Sequence, residues 1–344
     1  METEQKGLRA FLKRKGVEIT VKRYLIDAMS SMAMGLFASL LIGTIFNTIA
    51  DKLEVQWLSD TAAFATSAAG PAMAVAIGFA LKAPPLVLFS LCAVGAGANS
   101  LGGPLGTLIC AIIAAELGKI VSKETKIDIL VTPTVTILSG LAMASLVGPG
   151  VAALMNGFGA VIMNATVLNP FWMGICVSVL VGIALTLPIS SAAICAALGL
   201  VGLAGGAATA GCCAQMVGFA VLSFRENGWG GIVAQGLGTS MLQMGNIVRN
   251  PKIWIPPTLA AAITGPVATC VFRLENGVAI ASGMGTCGLV GPIGIMAAEG
   301  FGNASSWIGL LLVSIVLPAI LTPLIAIPFR KIGWIKDGDL KLDL

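Results

Sequence analysis

Residues 223–251 read SFRENGWGGIVAQGLGTSMLQMGNIVRNP. The stretch sits inside an otherwise apolar sequence. It carries Arg225, Glu226 and Arg249 towards its ends, with Asn227, Gln235, Thr239, Ser240, Gln243 and Asn246 between them and glycines throughout. Polar groups are costly in hydrocarbon, and irregular backbone survives at membrane depth only where protein or a water-filled cavity surrounds it. The stretch therefore fits either a re-entrant hairpin over 227–248 that lines a solute site, or a long cytoplasmic loop with an interfacial helix. Polar residues at membrane depth point first to function, so the rest of the chain is read outward from a hairpin here.

The 344 residues are 57% hydrophobic and only 10% charged, where a soluble domain has about 25% charged residues. An all-α polytopic membrane protein follows, and the absence of strand alternation excludes an outer-membrane barrel. Forty-three glycines allow close helix approach and broken helices. The net charge of +4 gathers at the two ends, which is a topology signal and does not imply a nucleic-acid partner. Histidine is absent, so there is no histidine nucleophile, no histidine-ligated metal and no phosphohistidine on this chain. The eight cysteines fall in apolar runs without CxxC spacing and read as packing residues. No metal site and no cofactor is expected.

Residues 1–26 form a basic amphipathic segment with Lys6, Arg9, Lys13, Arg14, Lys15, Lys22 and Arg23. Its length and the lack of a small-residue cleavage site argue against a signal peptide, and its charge places the N-terminus in the cytoplasm. A membrane domain is expected over 27–329, followed by a cytoplasmic tail over 330–344. Spans need about 20 apolar residues each. Windows at 28–50 and 61–81 supply the first two, and 83–115 holds two short spans turning near Asn99 and Ser100. Residues 129–224 carry no charge. Their flanks favour the inside, so four crossings are expected, with breaks at 156–169, at Leu187-Pro188-Ile189-Ser190-Ser191 and at Gly205-Gly206. A span at 253–272 follows. Parity then makes one of the runs 276–298 and 306–329 re-entrant, and the glycine-broken 276–298 is the better candidate. The sum is ten spans and two hairpins, one from each side, as suits a secondary transporter. Gly-Pro pairs, Gly103-Pro104 among them, read as kinks and close packing.

The sequence carries no P-loop, GxSxG elbow, HExxH or dinucleotide fingerprint, and no self-contained catalytic site. Amide side chains offer donors and acceptors together, which suits hydroxyl-rich neutral solutes. Asn99, Gln243, Asn246 and Asn276 lie at expected hairpins or helix breaks. Glu226 suits a solute hydroxyl or a partner such as Arg225. Arg249 suits an anionic group or serves as a positive-inside anchor. The tryptophans, at 57, 172, 229, 254, 307 and 334, fall mostly near span ends, as an aromatic belt does.

Two stretches carry a family resemblance. Leu187-Pro188-Ile189-Ser190-Ser191-Ala192-Ala193 is similar to the Pro-Val-Asn-Lys-Ala-Ala stretch of fructose-type IIC proteins of the phosphoenolpyruvate:sugar phosphotransferase system. Gly238-Thr239-Ser240 through Asn250-Pro251-Lys252-Ile253-Trp254-Ile255-Pro256 resembles their Thr-Glu-Gly-Ala-Ile-Pro-Phe…Asp-Pro…Ile-Pro segment. The nearest branch is the divergent one that includes perfringolysin regulator-like membrane proteins. The resemblance implies a homodimeric, elevator-type sugar permease in the bacterial cytoplasmic membrane, with sugar phosphorylated on the inner side by a IIB partner. It adds Ser190, Ser191 and Asn250 to the candidate solute-binding residues Asn99, Glu226, Gln243, Asn246, Arg249 and Asn276. The sequence departs from the pattern where it matters for phosphotransfer. The family's glutamate position falls near Leu242 or Gln243, and Asn-Lys becomes Ser190-Ser191. A permease uncoupled from phosphotransfer and a membrane-embedded solute sensor therefore stay open beside the coupled one.

Overall fold

The computed structural model describes residues 11–300 and 304–342. Lys6 and Arg9 of the basic segment, and the last two residues of the tail, lie outside the described residues. The described residues are helical and contain no strand, only an isolated bridge between Gly202 and Asn276. The helices, numbered in chain order, are α1 (Lys22–Asn47), α2 (Gln56–Ser67), α3 (Ala69–Ala80), α4 (Pro85–Val121), α5 (Asp128–Thr166), α6 (Pro170–Thr186), α7 (Ser191–Ala197) and α8 (Gly202–Leu222). They continue as α9 (Phe224–Val233), α10 (Met244–Arg249), α11 (Pro251–Phe272), α12 (Cys287–Glu299) and α13 (Ala304–Lys331). Among the described residues six helices are long and apolar enough to cross a membrane, or seven if the bent pair α2–α3 makes one span. The chain is an integral, polytopic membrane protein.

Two compact units divide the chain, one made of Met1–Gly43 and Asp60–Ala153, the other of Thr44–Ser59 and Leu154–Leu344. In the first unit α4 is not one rod. Gly103 takes φ 57° and ψ −156°, in the left-handed region that glycine enters without a Cβ penalty, and Pro104 follows it. The chain doubles back there. A Cβ on Gly106 would lie 3.1 Å from the Ala98 carbonyl oxygen, and one on Gly118 would lie 2.9 Å from Val87. Two antiparallel halves result. The turn expected at Asn99 and Ser100 lies a few residues later, because the backbone reversal needs the glycine.

At the opposite end of the folded α4 from the Gly103 turn sits a buried charge cluster. Lys119 is only 2% exposed. Its ammonium donates to Glu116 Oε2 at 2.8 Å, to the Gly16 carbonyl at 2.6 Å and to the Leu81 carbonyl at 3.1 Å. Arg23 donates to the same Leu81 carbonyl at 2.6 Å and reaches Glu116 at 3.5 Å, while the Tyr24 hydroxyl donates to Glu116 Oε1 at 3.2 Å. Three residues from the basic segment and α1 thus tie down one carboxylate and one ammonium of α4, as buried charges require.

The second unit is built around α8, which is almost wholly buried. Glycines let its neighbours touch backbone to backbone. A Cβ on Gly211 would lie 1.9 Å from the Ser178 carbonyl oxygen of α6, and one on Gly265 of α11 would lie 2.0 Å from that of Gly174. Such small-residue contacts are how membrane helices associate where the lipid supplies no hydrophobic drive. Gly205-Gly206 belongs to the same pattern. The expected break there is absent. A Cβ on Gly206 would sit 1.8 Å from the Leu274 carbonyl oxygen, so the pair serves close packing. The break falls instead at 198–201, before the N-terminus of α8.

Helix directions follow from matched contacts. Thr269 bonds the Pro170 carbonyl and Ser178 bonds the Ala261 carbonyl, so α6 runs antiparallel to α11. Gly206 faces Leu274 and Gln215 bonds Trp254, so α8 also runs antiparallel to α11. Helices α6 and α8 are therefore parallel, and residues 187–201, including α7, return between them. The expected break at 187–191 lies at the start of that return. Ser190 begins it as the N-cap of α7, its hydroxyl accepting from the Ala193 N–H at 3.2 Å, as helix starts favour.

Candidate functional site

Two broken segments hang from opposite ends of α8. The first, 223–250, starts where α8 stops. Helix α9 is kinked at Gly228 (φ 56°), and Thr239 is extended and caps a short 3-10 turn, Ser240–Gln243, through its hydroxyl. Helix α10 then brings the chain back. Side-chain amides lace the two arms. Arg249 reaches Asn246 Oδ1 at 3.5 Å, Asn246 Nδ2 donates to Gln243 Oε1 at 2.8 Å, Gln243 Nε2 donates to Gln235 Oε1 at 2.9 Å, and Gln235 Nε2 donates to Ser223 Oγ at 2.8 Å. Gln235, Gln243 and Ser223 are fully buried.

The second segment, 275–299, is pinned at the other end of α8. Asn276 pairs with Gly202 through both backbone groups, at 2.8 and 3.0 Å. Its side chain donates to Thr209 Oγ1 at 2.9 Å and to the Gly291 carbonyl at 3.3 Å, and accepts from the Val278 N–H at 2.9 Å. Glu299 accepts from the Glu275 N–H at 2.9 Å and from Ser306 Oγ at 2.7 Å, so the segment enters and leaves at one place. Ser191 on the return segment donates to the Gly283 carbonyl at 2.7 Å. The far tip reaches the first hairpin, where Thr286 Oγ1 donates to the Gly236 carbonyl.

Beside that meeting point lies a buried cluster that the sequence reading missed. Gln215 of α8 is fully buried. Its Oε1 accepts from Trp254 Nε1 at 3.0 Å and lies 3.5 Å from Thr186 Oγ1, and its Nε2 donates to Thr258 Oγ1 at 3.1 Å. Thr186 and Ser240 share a hydrogen bond at 2.8 Å. The signal was present: Gln215 is the single amide in a 21-residue apolar helix, and a polar side chain at that depth is a functional candidate by default. Trp254 thus bonds inward, whatever its place along the span.

The rim of the first hairpin is occupied by the chain itself. Residues 334–342 run across it. Asn227 holds the main chain at both atoms of its amide, donating to the Leu340 carbonyl at 2.8 Å and accepting from the Leu342 N–H at 2.8 Å. Glu226 Oε2 accepts from the Leu340 N–H at 2.8 Å. Gln243 donates to the Leu340 carbonyl at 3.0 Å and Asn246 to the Lys341 carbonyl at 2.9 Å. Asn250 donates to the Trp334 carbonyl and to Asp339 Oδ2, both at 2.8 Å. Of the candidate residues, the structure thus brings together Glu226, Gln243, Asn246 and Asn250, with Arg249 exposed at their edge. Ser191 and Asn276 belong to the second hairpin, Ser190 caps α7, and Asn99 lies on α4 in the first unit.

The amide-and-hydroxyl lining, the opposed broken hairpins and the return through Pro188 together define the second unit. No curated protein and no solved structure shows detectable similarity to the chain. The family model described as phosphotransferase system, EIIC matches residues 26–342. The chain belongs to the phosphotransferase system EIIC family.

Proposed function

We propose that the protein is a permease of the IIC type that moves a small polyhydroxylated solute, a sugar or sugar derivative, across the bacterial cytoplasmic membrane. One observation carries this reading: two broken hairpins based at opposite ends of α8 meet at Thr286 and Gly236 beside the uncharged Thr186–Gln215–Ser240–Thr258 cluster. Discontinuous segments meeting in the interior are the usual architecture of an alternating-access site. Amides and hydroxyls without a fixed charge match a neutral solute. The 3-10 turn Ser240–Gln243 links the buried cluster to the rim, so the proposed route runs past Ser240 to Gln243, Asn246 and Glu226.

Ten crossings are supported by counting the folded α4 as two and the return 187–201 as one, beside α1, α2–α3, α5, α6, α8, α11 and α13. An even count leaves both termini on one side, and the basic charge at the two ends favours the cytoplasm; the proposed membrane domain spans 27–329. A homodimer with elevator-type motion, and a separate IIB protein as phosphoryl donor, are inferred from the family. A second reading, transport uncoupled from phosphotransfer, has its own support. The family's glutamate position falls at Leu242 or Gln243, and both Gln243 amide protons are already committed, to Gln235 and Leu340.

The test is a thermal-shift screen of the purified protein with sugars, polyols, sugar acids, sugar phosphates and small carboxylates. A ligand selective for the folded state stabilises it by about 2.7 kcal/mol at a hundredfold excess over Kd. A neutral sugar or polyol should shift the wild type, and Ser240→Ala should need at least tenfold more of it. Shifts with anions alone would move the site to Arg249 and sink the sugar reading, as would no shift with any compound. Uptake in vesicles with and without IIA and IIB then separates the coupled from the uncoupled permease.

A further inference from the structure

The segment 334–342 is held mostly through its main chain, with the Asp339 carboxylate as the side chain that also bonds the hairpin, at Asn250. Five residues of the first hairpin, Glu226, Asn227, Gln243, Asn246 and Asn250, supply the bonds. The segment has no regular structure that would hold it without them. It follows α13 through Gly333 (φ 77°) and turns again at Gly338 (φ 94°), so it can leave without unfolding a helix. Leu340 and Ile335 are buried beneath it and set its register. The donors of the rim are used up while it is bound. Gln243 Nε2 divides its two protons between Gln235 and Leu340, and Asn246 Nδ2 divides its own between Gln243 and Lys341. No N–H remains on either amide for a solute oxygen.

We propose that residues 334–342 are an autoinhibitory latch: they occupy the polar rim of the first hairpin as a built-in competitor, and solute engages the rim only when they leave. The proposal rests on the rim being part of the solute route. Occupancy is one or the other, because the same amide protons serve both. Release is a swing about Gly333 that also frees the Trp334 and Ile335 N–H groups from the Phe329 carbonyl, and the charged residues Lys336, Asp337 and Lys341 keep the freed segment in water.

The experiment compares the full-length wild type with Leu340→Asp in lipid nanodiscs. The substitution places a charge in a fully buried position and leaves every rim side chain intact. Asp339→Ala, which removes only the bonds to Asn250 and to the Lys336 N–H, is the milder second variant. Hydrogen–deuterium exchange is read on peptides covering 335–342 and 239–250, and ligand binding by thermal shift with glucose, fructose, mannitol, galactitol and ascorbate. The latch predicts that 335–342 exchanges at least tenfold more slowly in the wild type than in Leu340→Asp, with Asp339→Ala between them. The hairpin peptide should exchange faster in both variants, and a compound that binds should be needed at tenfold lower concentration by Leu340→Asp. Unprotected 335–342 amides in the wild type would overturn the proposal, as would equal ligand requirements in the two forms. If no compound binds either form, the permease reading fails, and the exchange data still decide whether the segment is docked.

Discussion

Glu116 is the residue on which the first unit's buried charge depends. It is the only carboxylate among the described residues within bonding distance of Lys119 and Arg23. Removing one partner of a buried ion pair costs roughly 3–5 kcal/mol, because the other charge is left uncompensated. Glu116→Ala should therefore destabilise the protein by about that much in SDS unfolding, and Glu116→Gln should fare little better. Gln215 makes a comparable demand with neutral groups. Gln215→Leu leaves the Trp254 N–H without its partner, at about 1–3 kcal/mol for an unsatisfied group, while the Thr258 hydroxyl keeps its bond to the Trp254 carbonyl at 2.8 Å. A double-mutant cycle with Trp254→Phe should return a coupling of about 0.5–3 kcal/mol; additivity would mean that the 3.0 Å bond carries no weight. These two residues also mark what a sequence displays at this scale. The amides of 223–251 stood out because they crowd together along the chain. Gln215 is marked locally as the lone amide of an apolar helix, but its partners Trp254 and Thr258 lie 39 and 43 residues onward and no local pattern names them. Asn276 was legible as a special position, yet its side-chain capacity is spent on Thr209, Gly291 and Val278.

Between elements, glycine does two different jobs that a sequence writes with the same letter. At Gly103 it reverses the chain, and at Gly206 and Gly211 it admits a neighbouring backbone. Gly211→Ala would force α8 off the Ser178 carbonyl, 1.9 Å from the added carbon. Overpacking of this kind costs about 1–3 kcal/mol, so the variant should melt several degrees lower. Gly150→Ala, on α5 where nothing lies within 4 Å, is the control and should be neutral or slightly stabilising. The helix breaks at 187–190 and 250–251 were readable because proline and a capping residue coincide there. The break expected at Gly205-Gly206 was not a break, since packing partners decide which role a glycine pair takes. The link between the N-terminal segment and the α4–α5 loop titrates. Lys15 donates to Glu124, and Arg14 reaches it at 3.0 Å; the Lys15 hydrogen bond holds the Glu124 carboxyl below its ordinary value. A lowered carboxylate stabilises the fold above its unfolded pKa, about 4.3, and the contribution disappears as pH falls through the lowered folded value. Residues 11–20 should therefore become protease-sensitive below about pH 4, and Glu124→Gln should produce the same sensitivity at pH 7.

For the molecule as a whole, the membrane class was legible because hydrophobicity is additive along the chain. Charge parity gave the expectation of two hairpins entering from opposite sides. The structure shows a broken segment tied to each end of α8, which is 21 residues long and so about 31 Å from end to end. What parity could not reveal is that the first hairpin is completed from far along the chain. Asn227 waits 113 residues for the Leu340 carbonyl, and Glu226 waits 114 for the Leu340 N–H. At about 5–20 residues per second, synthesis leaves the hairpin's polar edge without its closing strand for roughly 6–23 s. During that interval the edge lacks its main-chain partners and is open to any peptide that offers a free main chain. The order of translation thus gives this membrane protein a moment in its biogenesis when it is necessarily unlatched.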